Sequence, residues 1–237
     1  MAVYIHQLSE WPGFKWQQEE VGALLAHVRH RQGRLLGRVE TYGFKLQEEA
    51  SLNTLTLDVT KSSEIEGELL KPEQVRSSIA RRLGIDIGGL VAADRHVEGI
   101  VEMTLEATQQ YDEVLSADRL FGWHSALFPT TGGGPHKIVV GAWRDNKKDD
   151  PMQVVSGASG KERVHFEAPG ADRLDVEMNQ FISWFNEETQ IDPVIKAAIA
   201  HLWFVTIHPF DDGNGRIARA LADMTTCSAM LGRLSVA

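Results

Sequence analysis

Residues 208–219 read HPFDDGNGRIAR. Pro209 is disfavoured inside a helix and biases the residue before it away from helical geometry. The helical run that precedes it is therefore expected to end at about Ile207, leaving His208 on a loop. Gly213, Asn214 and Gly215 reach backbone conformations that other residues resist, and Arg216 to Met230 can propagate as a helix. The glycine turn thus falls at a helix N-terminus, where unpaired N–H groups and the positive end of the dipole favour an anion. Arg216 and Arg219, three residues apart, share one face of that helix and can reach toward the same anion. An anion held by amides and two guanidiniums beside two aspartates is most naturally a polyphosphate with a divalent metal. One of the aspartates can ligate Mg²⁺, which prefers oxygen donors and keeps several waters while bridging phosphates. An imidazole, titrating near ~6.5 when unperturbed, suits His208 to take a proton from an attacking hydroxyl. Singly, each part is commonplace: a loop histidine, a surface turn, a solvated arginine face. Their ordered coincidence in so short a stretch points to phosphoryl or nucleotidyl transfer.

Working outward, the chain is mostly helical in pattern. Apolar Val21, Leu24, Leu25, Val28, Leu35, Leu36 and Val39 recur at three- and four-residue spacing between Trp16 and about Gly43, although Gly33 and Gly37 weaken the case for one continuous helix. A second run covers about Leu46 to Ile65, with Gly67 placed to end it, and a third opens at Lys71-Pro72-Glu73 and closes at Gly84. A domain boundary is expected near the glycine-containing stretch Asp86–Gly89, giving an N-terminal helical domain over 1–88 and a second domain over 89–237. Helical periodicity resumes from about Leu90 to Leu115 and from Ala117 to Phe128. After Pro129 and the loop TTGGG, the runs KIVVGAWR (137–144), MQVVS (152–156) and RVHF (163–166) read as short strands, with Asp145 to Pro151 as a hairpin-like connection. Helices return at Leu174 to Asn186 and from Asp192-Pro193, as cap and first turn, through Ile207. The expected fold class is mainly all-α with one small β element.

Composition excludes several classes. With 43% hydrophobic residues among 237, the chain can bury a sizeable core. Its 33 acidic and 24 basic residues, a net charge of −9, argue against bulk electrostatic binding of nucleic acid. The apolar run Ala197–Ile207 is interrupted by His201 and falls short of the ~20 residues that span a bilayer, so no membrane segment is expected. The single Cys227 cannot form an internal disulfide, and no N-terminal signal pattern is visible, so a cytoplasmic location is the expectation. SGASGKER (156–163) fails the phosphate-loop pattern, having Val155 in place of the first glycine and Glu162 in place of the hydroxyl residue. His124, His136, His165 and His201 lack the spacing of a zinc site, and structural roles are expected for them.

HPFDDGNGRIAR matches the Fic-domain signature HPFx(D/E)GNGRxxR at every specified position, and the chain resembles Fic-domain proteins on that ground. The resemblance implies a Fic helical bundle with a small β-hairpin flap, and transfer of AMP from ATP to a Ser, Thr or Tyr hydroxyl of a target protein. It implies His208 as general base, Phe210 packed into the core to position the loop, Asp212 as the Mg²⁺ ligand, and Gly213, Asn214 and Gly215 as the anion hole. Arg216 would contact the nucleotide phosphates, and Arg219 the terminal phosphate or an inhibitory acid; Asp211 fills the variable position and receives no role. Ser62-Ser63-Glu64-Ile65-Glu66-Gly67 resembles the family's inhibitory motif (S/T)xxxE(G/N), with Ser62 and Glu66 four apart on one helical face. The implied mechanism is autoinhibition: Glu66 pairs with Arg219, taking the arginine that orients the γ-phosphate. The stretch Gly141 to Val155 resembles the flap in position, making Gly141, Ala142, Trp143, Arg144, Val154 and Val155 the expected target-docking residues by strand addition. Trp143, Trp184 and Trp203 are expected in core or flap packing.

Only 18 residues follow Arg219, without the further helices that complete the adenine pocket in the family, so a C-terminally short Fic domain is expected. That departure keeps two alternatives open: a catalytically silent Fic-like interaction module, and a Fic enzyme that removes AMP or transfers another phosphate-bearing group. The oligomeric state, a homodimer included, and the target are not written in the sequence.

Overall fold

The computed structural model describes residues 3–129, 138–147, 149–157, 161 and 163–231, with side chains described through 228. The TTGGG loop, His136, Lys137, Gly160, Glu162 and the tail from 232 lie outside the described residues. Among those described, the architecture is mainly helical, with eight α-helices and one two-stranded antiparallel hairpin. By its contacts the chain forms two compact units, Gly13–Val101 on one hand and Met1–Pro12 with Glu102–Ala237 on the other.

The Gly13–Val101 unit is built from α1 (Gln18–Val39), α2 (Phe44–Ile65), α3 (Pro72–Leu83) and the first part of α4 (Arg95–Gln109). Helix α1 continues unbroken through Gly33 and Gly37; about 1 kcal/mol of propensity lost per glycine does not end a helix of this length. It has no fully buried residue, and its apolar stripe is only half-covered. Helices α2 and α3 pack on each other and bury Leu52, Val59, Val75, Ile79 and Ala80. Both end on a left-handed glycine. At Gly67 (φ +81°) the Gly67 and Glu68 amides donate to Glu64 and Ser63 carbonyls, and at Gly84 (φ +70°) the Gly84 and Ile85 amides donate to Arg81 and Ala80. Each pair of bonds satisfies carbonyls that the helix end leaves open, and the left-handed turn is why glycine is needed there. Arg81 and Arg82, in the last turn of α3, both pair with Glu98 of α4.

The second unit holds the rest of α4, α5 (Ala117–Leu127), strands β1 (Gln153–Ser156) and β2 (Arg163–Glu167), α6 (Leu174–Glu187), α7 (Pro193–Ile207) and α8 (Asn214–Leu231). Helix α7 is its centre. Ile195, Ala197, Ile199, Ala200, Trp203, Phe204, Thr206 and Ile207 are buried around most of its circumference, as expected of a helix with neighbours on several sides. Its start follows the sequence signal: the Asp192 carboxylate accepts from the Val194 amide at 2.8 Å, and Pro193 fills the first turn. Helices α6 and α8 lie against α7, and α5 touches α8. Phe181, Trp184, Trp203 and Phe204 form the aromatic core, with ring centroids 5.2–5.7 Å apart for Trp184–Trp203, Phe181–Trp203 and Phe181–Phe204.

The compact units are drawn differently from the sequence domains 1–88 and 89–237, since residues 4–11 are tied into the second unit. Trp11 donates its indole N–H to Glu177 of α6 at 2.9 Å and meets Trp203 edge-on, while Tyr4 and His6 pack against Phe166 of β2. On the other side the boundary falls inside α4. One expectation changes, that of a strand over KIVVGAWR: residues 138–144 are not a strand. Their backbone donors are taken by distant groups, Val139 by Asp211, Gly141 by His124 and Arg144 by Pro209, so they do not enter a ladder. Gly141 also has φ +71°, outside the extended region, and a Cβ there would lie 2.6 Å from Ser125 Oγ. The hairpin pairs β1 with β2 instead, in the register Gln153↔Glu167 and Ser156↔Arg163, with an irregularity between Val154 and Val155. The expected connection over 145–151 therefore precedes β1.

Candidate active site

All of the residues in HPFDDGNGRIAR lie between the end of α7 and the first turns of α8. The α7 helix ends at His208, which adopts the left-handed conformation (φ 53°, ψ 58°), the one non-glycine residue with positive φ among those described. Such a backbone is strained for a histidine and persists only where the surroundings fix it. His208 Nδ1 lies 3.3 Å from the Val205 carbonyl. A carbonyl can only accept, so this contact favours the tautomer with its hydrogen on Nδ1, leaving Nε2 with the lone pair.

The loop is fixed from inside by Asn214. Its side chain, 2% exposed as a residue, accepts from the Phe210 amide at 3.0 Å and donates to the Phe210 carbonyl at 2.8 Å, closing the turn with both polar atoms satisfied. Phe210 is fully buried. Its ring stacks on His124 with centroids 4.2 Å apart and planes 7° from parallel, and also meets Trp143 and Phe121. Gly213 has φ +79°, and a Cβ there would stand 3.0–3.1 Å from Phe128 and Leu127, so the position requires glycine twice over. Its amide donates to Asp212 Oδ1 at 2.6 Å. The first N–H groups of α8, from Asn214 onward, begin at this point and have no intrahelical acceptor. Arg216 is 2% exposed, with its guanidinium 5.3 Å from the Phe128 ring and 3.9 Å from Asp212. Asp212 itself is 62% exposed. Arg219, one turn further along α8, is half-buried.

Among the described residues no group of three or more His, Cys, Asp or Glu could hold a metal. One exposed carboxylate beside a helix N-terminus nevertheless fits Mg²⁺, whose remaining ligands are ordinarily phosphate oxygens and water. Nor is any described helix long and apolar enough to cross a membrane.

The structure brings His208, Phe210, Asp212, Gly213, Asn214, Gly215, Arg216 and Arg219 into one loop and helix start. Ser62 and Glu66 belong to the Gly13–Val101 unit, where Ser62 is half-buried on α2 and Glu66 caps its end, exposed. Of the expected flap residues, Val154 and Val155 lie on β1 and are each 46% exposed, whereas Gly141 to Arg144 run beside the 207–210 loop.

Three further residues bear on the site, of which the sequence reading gave His124 a structural role, Asp211 none, and Arg144 a place in the target-docking flap. His124, fully buried on α5, accepts the Gly141 amide at Nδ1 (3.1 Å) while its Nε2 is buried without a partner in hydrogen-bonding geometry. Burial lowers its pKa, opposed by the Asp212 carbonyl and the Asp211 carboxylate, so the ring is held neutral. A signal existed, since Leu120, Trp123, His124 and Leu127 share one helical face. Asp211, in the signature's variable position, accepts from the Val139 amide at 2.8 Å, which no local pattern announces. Arg144, 2% exposed, is the third.

Comparison with known proteins agrees with this geometry. Residues 114–225 match the Fic/DOC family model, and residues 4–85 match a domain of unknown function, DUF4172. A protein adenylyltransferase Fic from Drosophila willistoni is 31% identical over 168 residues, which is 66% of this chain and 29% of that protein. Protein adenylyltransferase fic-1 from Caenorhabditis elegans is 46% identical over 50 residues, 20% of this chain and 10% of that one. The chain thus spans less than a third of the length of these curated relatives. In fold it is similar to a Fic domain containing signaling protein from Bacteroides thetaiotaomicron (TM-score 0.62, 19% identity, 84% of this chain and 72% of that one). It is also similar to a Fic family protein from Desulfovibrio desulfuricans (TM-score 0.57, 24% identity, 91% and 59%). Residues 114–225 therefore form a Fic/DOC-family domain, preceded by a DUF4172 domain, in a chain related to protein adenylyltransferases.

Proposed function

We propose that this protein is an adenylyltransferase that transfers AMP from ATP to a hydroxyl side chain of a target protein. The observation that carries the reading is the juxtaposition in one loop of His208, held at the end of α7 with Nδ1 toward the Val205 carbonyl, and the amino terminus of α8 six residues on. In this mechanism His208 Nε2 accepts the proton of the target hydroxyl as its oxygen bonds to the α-phosphorus, and the bond from that phosphorus to the bridging oxygen breaks, releasing pyrophosphate. The amides of Gly213, Asn214 and Gly215 stabilise the charge on the phosphates through groups already oriented by the Phe210–Asn214 bonds. Arg216 and Arg219 hold the phosphates in line. Asp212 would hold Mg²⁺, which supplies charge neutralisation to the phosphates when bound.

The proposal includes a brake. Glu66, in the Ser62–Gly67 motif, pairs with Arg219 and withdraws it from the γ-phosphate, so that ATP binds with its α-phosphate out of line. That part rests on the motif and on the charges of the two residues. Incubation with labelled ATP and Mg²⁺ tests both parts: Glu66→Gly should raise auto- or target modification, and His208→Ala should remove it. Mass spectrometry should show the added mass of one AMP; a different adduct, or none in either protein, rejects the assignment. Equal labelling of wild type and Glu66→Gly rejects the brake alone.

A further inference from the structure

Arg144 is buried to 2% exposure, yet it is a full cation with five donors to satisfy. Two of those donors reach the end of α7. Nε donates to the His208 carbonyl at 2.7 Å, and Nη2 donates to the Pro169 carbonyl at 2.5 Å and, more weakly, to the Ile207 carbonyl at 3.4 Å. Nη1 donates to Asn146 Oδ1, and the Arg144 main-chain amide donates to the Pro209 carbonyl at 2.9 Å. Three consecutive carbonyls of the catalytic loop, 207 to 209, are therefore received by one residue.

The need for such a partner follows from the backbone. The left-handed turn at His208 ends α7, so the Ile207 carbonyl, at the negative end of the α7 dipole, and the loop carbonyls of His208 and Pro209 have no following helical amides to accept from. A guanidinium suits this position better than an ammonium, because its planar fork reaches separated acceptors at once. Burial lowers the Arg144 pKa to about 10, with Asp211 opposing the drop, so the group remains charged at neutral pH. The same residue also closes a set of ties from the 138–146 segment: Val139 to Asp211, Gly141 to His124, and Arg144 to 207–209.

We propose that Arg144 is a positioning residue for His208, whose guanidinium holds the Ile207 and His208 carbonyls while its main-chain amide holds that of Pro209, so that the imidazole is presented to the reacting hydroxyl, and that it is not a target-docking residue. The inference rests on the adenylyltransferase reading for its kinetic test only. It distinguishes Arg144 from the neighbouring Val154 and Val155, which are open to solvent and can meet a target strand, whereas the Arg144 donors are committed inward.

The test uses Arg144→Lys and Arg144→Met in the full chain carrying Glu66→Gly. For a misplaced base, kcat should fall by up to about a hundredfold in Arg144→Met, with KM for ATP within roughly twofold. Arg144→Lys should lie between, since an ammonium recovers one or two carbonyls. Amide hydrogen exchange, measured on the same proteins, should accelerate at residues 208 and 210 while the rest of α7 keeps its protection. A wild-type kcat in either variant overturns the proposal. So does an unchanged kcat with a raised KM for the protein substrate, which would make Arg144 a docking residue. Should Arg144→Met not fold, Arg144→Lys decides by the same readings. If no variant transfers AMP, the functional reading has failed, and the exchange pattern alone decides whether Arg144 holds the loop.

Discussion

The 207–219 loop and the 153–167 hairpin belong to the same unit and are built in opposite ways. In the loop nearly every polar group is answered: Asn214 closes the Phe210 turn, Arg144 donates to three carbonyls, and Phe210 is stacked on His124 and met at a tilt by Trp143. In the hairpin Val154, Val155 and Val164 stand 40–46% exposed, and the outer anchorage described is Phe166 against Tyr4 and His6. A base that must take a proton along one line requires fixed surroundings; a strand that receives an extended peptide must keep an open edge. Under the proposed function the first is the reacting region and the second the receiving region, and the contrast can be challenged in three places.

The largest effect is expected at Phe210. Removing a fully buried ring, Phe210→Ala, should cost about 3–5 kcal/mol, read as a lowered midpoint in urea. A cost near 1 kcal/mol would mean that the polar bonds hold the loop without the ring. An intermediate effect is expected from pH. Burial depresses the His124 pKa in the folded protein, whereas the unfolded chain takes up a proton near ~6.5. Stability should thus be flat above that pH and decline as pH falls below it, until the folded-state pKa is reached. His6, buried beside Arg173, is depressed in the same direction and adds to the slope. Urea midpoints from pH 7.5 downward should show a weaker slope in His124→Gln than in the unaltered protein; an identical slope would exclude His124 as a source. The smallest effect is expected in the hairpin, where the double change Val154→Thr and Val155→Thr should stay within about 0.5 kcal/mol by the same assay. A loss several times larger would show that these side chains belong to the core and are not held open.

Local signals carried much of this fold. Asp192-Pro193 announced the start of α7, Pro209 its end, and Gly67 and Gly84 the ends of α2 and α3, because caps and breakers act within a few residues. Leu90 to Leu115 was longer in pattern than α4, which covers Arg95–Gln109, since periodicity alone does not set helix ends. What escaped was set by distance along the chain. KIVVGAWR has the composition of a strand, but its donors answer to residues more than 60 positions away, at Asp211 and Pro209. In the candidate site the signature supplied His208, Asp212 and the glycine turn by spacing. It could not supply Arg144 or Asp211, whose partners are main-chain groups that leave no mark in composition.

Trp11 and its neighbours carry one more consequence. Because residues 4–11 answer to Trp203, Glu177 and Phe166, the second unit is discontinuous along the chain. A recombination event with a single breakpoint near residue 88 would transfer most of that unit but leave its first segment behind, exposing an indole-sized gap beside Trp203.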